Sequence, residues 1–237
     1  MRKRVTPDAP KRRQFARYPI QLPILYDAMS RGSTGRRAGW TRNLSEGGAC
    51  LELDERLPVP SLLHIYLQMD RGAIEVEAQV VWEVGGRGHG EGDGGILHGV
   101  AFTHLAPNKL QTLRDLFLSH RQERRAGIRL PLDLLVTCQP KDPAAGPLQG
   151  RIGNVSRGGL LLRLFHVLPP GTALNLTLDR PHGRVTAEGE IVWVESPENQ
   201  TSGGPIRHGL RFTAIGWSRS LSLALLMTES ARAPSHH

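Results

Sequence analysis

Hydrophobic and polar residues alternate with a period of two over much of this chain. Ile74, Val76, Ala78, Val80 and Trp82 interleave with Glu75, Glu77, Gln79 and Val81, as a strand with one buried face requires. Val185, Ala187, Gly189, Ile191 and Trp193 repeat the pattern further on. Five more short runs of strand character precede or follow the first of these, at Ile20–Tyr26, Ala38–Asn43, Ala49–Leu53, Leu62–Gln68 and Leu97–Phe102. Six short strands separated by turns predict a closed or nearly closed antiparallel barrel. The period then changes. Leu110, Leu113, Leu116 and Phe117 follow helical spacing after Pro107-Asn108, and Trp217, Leu221, Ala224 and Leu225 do so near the other end. An amphipathic helix at each place is suited to plugging one open end of a barrel.

The whole pattern occurs twice. Arg12-Arg13-Gln-Phe-Ala-Arg17 recurs as Arg124-Arg125-Ala-Gly-Ile-Arg129, and Asn43-Leu-Ser45-Glu-Gly47-Gly48 recurs as Asn154-Val-Ser156-Arg-Gly158-Gly159. Val81-Trp82 returns as Val192-Trp193, and His98-Gly-Val-Ala-Phe102 as His208-Gly-Leu-Arg-Phe212. Four colinear matches, with drifts that loops absorb, indicate a tandem duplication. The expected fold class is therefore all-β dominated: two tandem six-stranded antiparallel barrels, each with a C-terminal helix. The expected domains are 11–121 and 122–231, after a basic tail at 1–10 and before a short tail at 232–237. The first helix runs into Arg124 with no Gly/Ser/Pro linker, so the second arginine motif is itself the connector between domains.

Charge changes this picture locally. The 237-residue chain carries a formal net charge of +8. Most of it lies in Met1–Arg17, where Arg2, Lys3, Arg4, Lys11, Arg12, Arg13 and Arg17 face a single acid, Asp8. The remainder is nearly balanced, which argues against a basic nucleic-acid-binding body. No apolar run approaches the ~18–20 residues of a membrane span, and the basic N-terminus has no apolar core behind it. A cytoplasmic location is the expectation. Cys50 and Cys138 are too few for a disulfide framework and have no Cys or His at metal-ligand spacing, so both read as small buried strand residues.

The chemistry resides in the two duplicated motifs. Each guanidinium offers a planar fork of donors that matches phosphate oxygens or the guanine edge, and its face stacks on a base. Arg13 and Arg17, four apart in an extended segment beside Pro19, emerge on one side. Asn-x-Ser-x-x-Gly taken alone is a turn, since Asn and Ser bond local backbone and Gly permits close approach. Its recurrence in step with the arginines adds a functional reading. The glycine-rich run Gly85–Gly95 lacks Gly-Lys-Ser/Thr and reads as a long hairpin loop. His98 and His208, matched but without a second ligand nearby, read as packed or hydrogen-bonded. No nucleophile elbow, HExxH or paired catalytic carboxylate motif is present, so nothing argues for an enzyme.

RxxxR followed by (D/N)xSxxGG, a strand ending near Trp and an HGxxF-like last strand resembles the PilZ domain of bacteria, over residues 11–121 and 122–230. The resemblance implies six-stranded barrels that bind cyclic di-GMP, with no further cofactor and no metal. It implies that Arg13 and Arg17, and likewise Arg125 and Arg129, grip phosphates and guanines from an N-terminal strap. Asn43, Ser45 and Gly48, with Asn154, Ser156 and Gly159, would line the surface where the bases rest, and Arg12 and Arg124 add further guanidinium groups. Asn stands in both copies where many members carry Asp, which permits a bond to the guanine edge but removes a carboxylate. The resulting expectation is a receptor that orders its strap, shifts one barrel against the other and signals to a downstream protein that the sequence does not identify. Its alternatives are a nucleic-acid binder acting through the basic tail and a ligand-independent scaffold.

Overall fold

The computed structural model describes residues 14–29, 35–70, 72–85, 94–123, 128–142, 144–180, 183–200 and 203–230. In the first half, β1 (Pro23–Ala28), β2 (Arg37–Ser45), β3 (Gly48–Leu53), β4 (Leu62–Met69), β5 (Gly72–Val84) and β6 (Ile96–His104) close into an antiparallel barrel in the order β1-β2-β3-β6-β5-β4. Helix α1 (Pro107–Glu123) follows. The second half repeats the topology with β7 (Leu130–Pro140), β8 (Leu148–Ser156), β9 (Gly159–Leu164), β10 (Ala173–Arg180), β11 (Gly183–Val194), β12 (Ile206–Ala214) and α2 (Trp217–Ser230). Closure leaves no free sheet edge in either unit.

The period-two residues fill the interiors. Ile74, Val76, Ala78 and Val80 are buried with Ile24, Leu51, Leu53, Leu63, Ile65 and Leu67 in the first core. Trp82 departs from its alternation. A bulge between Val80 and Trp82 turns the indole outward, 36% exposed, so that it lies over Gly99 of β6. Any Cβ at Gly99 would collide with that ring. The bulge at Ile191/Trp193 places Trp193 over Gly209 in the same way. The His-Gly pairs of the last strands thus have separate tasks: the glycine admits the indole, and the histidine points inward.

Both histidines are fully buried and satisfied. His98 Nδ1 lies 3.1 Å from the Ile96 carbonyl oxygen, and its Nε2 accepts the Leu57 amide at 3.1 Å. His208 does the same with Ile206 at 3.0 Å and Leu168 at 3.1 Å. An acceptor Nε2 requires the neutral tautomer protonated at Nδ1. Cys50 and Cys138 are free and buried in strands, and burial pushes the Cys138 thiol up to about 12.

The two helices are used differently. Leu113, Leu116 and Phe117 of α1 join the first barrel's core, and Phe117 stacks on Tyr18 at 4.4 Å. In α2, Leu223, Ala224, Leu226 and Met227 are buried between the second barrel and Leu25, Ala38 and Trp40, three outward-facing residues of the first. The helix therefore needs apolar residues on two sides. That is why its buried stripe is wider than the predicted one, while Leu225, expected inside, is 38% exposed.

Burial lowers the pKa of His98 and His208 below the ordinary value of 6.5. Above that pH the imidazoles are neutral in both folded and unfolded chains. Below it, the unfolded chain takes up protons that the folded one resists, so stability falls with pH by at most about 1.4 kcal/mol per unit for each histidine. Thermal unfolding should thus show a midpoint that drops between pH 7 and 5, and the double variant His98→Gln/His208→Gln should have a lower midpoint at pH 7 and a flatter profile.

Candidate functional site

At the open face of the first barrel, the chain just before β1 crosses the turn between β2 and β3. Tyr18 forms an isolated bridge with Leu44, donating its amide to Leu44 O at 2.8 Å and accepting Leu44 N at 2.9 Å. This anchors the incoming segment one residue from Ser45. Gln14, Phe15, Arg17, Ser45, Gly47, Gly48, Ala49, Val81, Val100 and Ala101 then enclose a hollow of about 230 Å³. Arg17, Ser45 and Gly48 are therefore brought together. Asn43 is half-buried on β2 close by, opposite Cys50 across a bulge, but is not among the lining residues. Arg12 and Arg13 lie outside the described residues.

The motif's small residues have local work as well. Ser45 Oγ donates to Gly48 O at 3.0 Å, and Ser156 Oγ to Gly159 O at 3.2 Å, each tying its own turn. A Cβ on Gly48 would strike the Val100 carbonyl, and one on Gly159 the Leu210 carbonyl. Both obstacles are backbone and cannot rotate away. Gly47 is different: a Cβ there would fall 2.6 Å from the ring of Phe15, which is 40% exposed and lies across the turn.

The second copy diverges. Asn154, Ser156 and Gly159 keep their places at the β8–β9 turn, and Asn154 Oδ1 is buried with no hydrogen-bond partner. Arg129 does not join them. It is exposed and lines a groove of about 850 Å³ with residues of α1 and the β4–β5 turn, among them Asp70, Lys109 and His120. Arg124 and Arg125 lie outside the described residues. Arg157, inside the second motif, reaches the first barrel: its Nη2 donates to Glu52 Oε2 at 2.6 Å, and its Cζ stands 5.3 Å from the centre of the Trp40 ring. Burial lowers the Arg157 pKa and the Glu52 carboxylate works against that. Trp40 Nε1 donates to Ser220 O at 3.0 Å, and Trp217 lies on Gly95, where a Cβ would fall 2.6 Å from its Cη2.

Sequence patterning marks Trp217 only as part of a helical stripe and Gly95 only as the end of a loop, and it assigns none of these residues to an interdomain contact. The available signal was a charge swap between copies: Glu46, which accepts Arg114 of α1 at 2.7 Å, stands where the second motif has Arg157. Among the described residues no group of three or more His, Cys, Asp or Glu side chains is placed to hold a metal ion. No described helix is long and apolar enough to cross a membrane.

Two glycines one position apart should separate on substitution. Gly48→Ala is expected to lower stability by about 1–3 kcal/mol, the usual cost of forcing a group into a packed site. Gly47→Ala should cost much less, because Phe15 can move, but should lift the strap. Denaturant unfolding measures the first effect, and faster tryptic cleavage at Arg17 under native conditions measures the second.

No curated protein sequence matches the chain. Among solved structures, the PilZ domain of YcgR from Escherichia coli with c-di-GMP aligns at 18% identity and TM-score 0.38, covering 46% of this chain and 93% of that one. The K. pneumonia MrkH–c-di-GMP complex aligns at 15% identity and TM-score 0.36, covering 86% of each chain. MotI (DgrA), the inhibitor of motility of Bacillus subtilis, aligns at 13% and 0.35, covering 86% of this chain and 94% of its own. The PilZ domain profile matches residues 11–119 and again 120–216. The chain belongs to the PilZ domain family, with two such domains in tandem.

Proposed function

We propose that this chain is a receptor for cyclic di-GMP that works by contact with another protein and not by catalysis. The observation that carries the reading is the convergence of Arg17, from the strap, on the Ser45–Gly48 turn around one hollow of a PilZ barrel. A guanidinium over a floor of small residues suits a flat dianion: the fork takes phosphate or the guanine edge, and glycine lets a base approach the backbone. The hollow of about 230 Å³ falls below the roughly 300–1,000 Å³ of small-molecule sites. Ligand entry therefore requires Phe15 to leave Gly47, so the strap moves when the site fills. Arg12 and Arg13 add cations in this reading.

In the second domain, the unpartnered Asn154 Oδ1 supports the same ligand. A buried acceptor without a donor costs about 1–3 kcal/mol, and a guanine N–H edge would satisfy it. Ser156 and Gly159 shape the turn, and Arg124, Arg125 and Arg129 supply the strap. For Arg129 this requires its side chain to leave the groove beside α1. Because Arg157 sits in the same turn and holds Glu52 of the first barrel, a ligand that shifts this turn acts directly on the contact between barrels. The proposed domain limits are 11–121 and 122–231, and the proposed location is the cytoplasm.

Titration calorimetry with cyclic di-GMP, with GTP and cyclic di-AMP as controls, tests the proposal. Saturable, guanine-selective binding is expected. Arg13→Ala/Arg17→Ala should remove the first site alone, and Asn154→Ala should weaken the second about tenfold, the loss of one good hydrogen bond to a buried partner. Absence of heat at tens of micromolar ligand, on the scale of ordinary small-molecule affinities, overturns the proposal.

A further inference from the structure

The same barrel face is covered in one domain and open in the other. On the first barrel, Leu25, Ala38, Trp40 and Glu52 point outward from β1, β2 and β3 yet are 0–6% exposed, because α2 and the Arg157 turn lie on them. The register assigns each a counterpart on the second barrel. Trp40 and Glu52 are opposite one another in the ladder, and so are Arg151 and Arg163. Leu97 follows Glu52 in the next strand as Arg207 follows Arg163. Leu25 and Ala38 become Thr137 and Gln149, which are hydrogen-bonded to each other at 3.1 Å. Where the first barrel offers Trp, Glu and Leu, the second offers a row of three arginines across β8, β9 and β12.

Like charges directly opposite one another in a sheet are destabilising, so this row needs compensation. Two members have it. Arg151 Nε donates to Asp133 Oδ1 at 2.7 Å and Arg207 Nε to Glu195 Oε1 at 2.8 Å. Arg163, in the middle, is exposed and makes no ion pair within 4 Å among the described residues; the Asp133 carboxylate held by Arg151 feels its charge only at longer range. Around it stand large apolar side chains in water: Leu135, opposite Arg151, is 64% exposed, and Phe165 and Val167, just past β9, are 70% and 60% exposed. The first barrel has Pro23, Asp54 and Arg56 at those positions.

We propose that this face of the second barrel docks an acidic amphipathic helix of a partner protein, with a carboxylate placed on Arg163 and apolar side chains against Leu135 and Phe165. The argument is complementarity with a worked example in the same molecule. The first barrel's face carries a carboxylate, Glu52, and receives a helix accompanied by an arginine; the second carries an arginine at the Glu52 position, so its occupant brings the carboxylate. Exposed Arg beside Phe is also the composition of interface anchors. A nucleic acid is a poorer occupant, since Asp133 and Glu195 already neutralise two of the three cations and phosphate binding draws on uncompensated ones. A second copy of this chain is poorer too: the apolar face of α2 is already buried, and α1 presents Lys109 and Arg114 beside Asp115. The proposal does not depend on ligand binding.

Fluorescence anisotropy with the full chain provides the test, using three labelled probes: a synthetic 15-residue amphipathic helix with Glu flanking a Leu stripe, the same peptide with each Glu replaced by Lys, and a short DNA duplex, all on the order of one helix in length. The Glu peptide should bind saturably and the Lys peptide at least about tenfold more weakly. Arg163→Glu should invert that preference, Arg163→Gln should abolish it, and Phe165→Ser should weaken the Glu peptide several-fold. Arg184→Glu, at an exposed pair with Asp179 elsewhere on the barrel, should change nothing. Equal binding of the two peptides, tighter binding of the duplex, insensitivity to Arg163→Gln, or no Glu-peptide binding below about 1 mM overturns the proposal.

Discussion

The arrangement of the two barrels depends on the burial of Trp40 under α2, and on the Arg157 guanidinium that accompanies it. The indole is fully buried although it projects from the outside of its own barrel. Its N–H has a carbonyl partner in α2, and Arg157 stands over its face while binding Glu52. Glu52 has a second cation in Arg42, at 3.3 Å. Removing Glu52 strands the buried Arg157, at a typical cost of about 3–5 kcal/mol for an orphaned buried charge, whereas Glu52 keeps Arg42 if Arg157 is lost. The pair fixes orientation more than it adds net stability, because desolvating both ions offsets most of their attraction. Stability at this contact comes from apolar area: Leu25, Ala38, Trp40, Leu223, Ala224 and Met227. Three polar atoms there, Arg157 Nη1, Trp217 Nε1 and Ser220 Oγ, are buried without partners. An interface carrying unmet donors is stabilised less than its area alone would give.

Duplication explains what is shared between the halves, and that contact explains what is not. Once α2 and the β8–β9 turn were committed to the first barrel, equivalent positions faced different surroundings. Glu46 could pair with its own helix through Arg114, whereas Arg157 had to satisfy a neighbour. Ala38 and Leu25 became core, while Gln149 and Thr137 remained in water and stayed polar. The two copies of one motif are therefore not two copies of one site. In the first, Arg17 turns to the hollow over Ser45 and Gly48; in the second, Arg129 lies in a groove against α1.

Most of the fold was legible because period-two patterning and closed barrels leave few alternatives once six strands repeat twice. Trp82 and Trp193 were misplaced by that same reasoning: alternation puts them inside, and only a bulge, which strict counting cannot register, turns them outward over Gly99 and Gly209. The strand expected at Ile20–Tyr26 begins instead at Pro23, although Ile20 and Leu22 are buried as anticipated. The candidate site was legible as two separate motifs, and for Arg17, Ser45 and Gly48 the structure supplies their meeting. The interface left only one trace, the exchange of Glu46 for Arg157 between the copies. Trp40 falls within a strand run, and nothing in a linear sequence pairs Glu52 with Arg157, 105 positions apart on different barrels.

The motif's residues show why fold and ligand recognition are hard to separate here. Gly48 and Gly159 are required by carbonyls of β6 and β12 whether or not anything binds, and Ser45 and Ser156 close their turns without a ligand. A barrel of this kind therefore presents a flat, small-residue floor as a by-product of packing its strands tightly. For the proposed ligand, affinity would come from what is laid on that floor, the guanidinium groups of a strap whose anchor is the Tyr18–Leu44 bridge in one copy and the Leu130–Val155 pair in the other. The two anchors hold the same register while the side chains beyond them diverge. Specialisation of the two sites can then proceed through strap residues alone, with the barrels left unchanged.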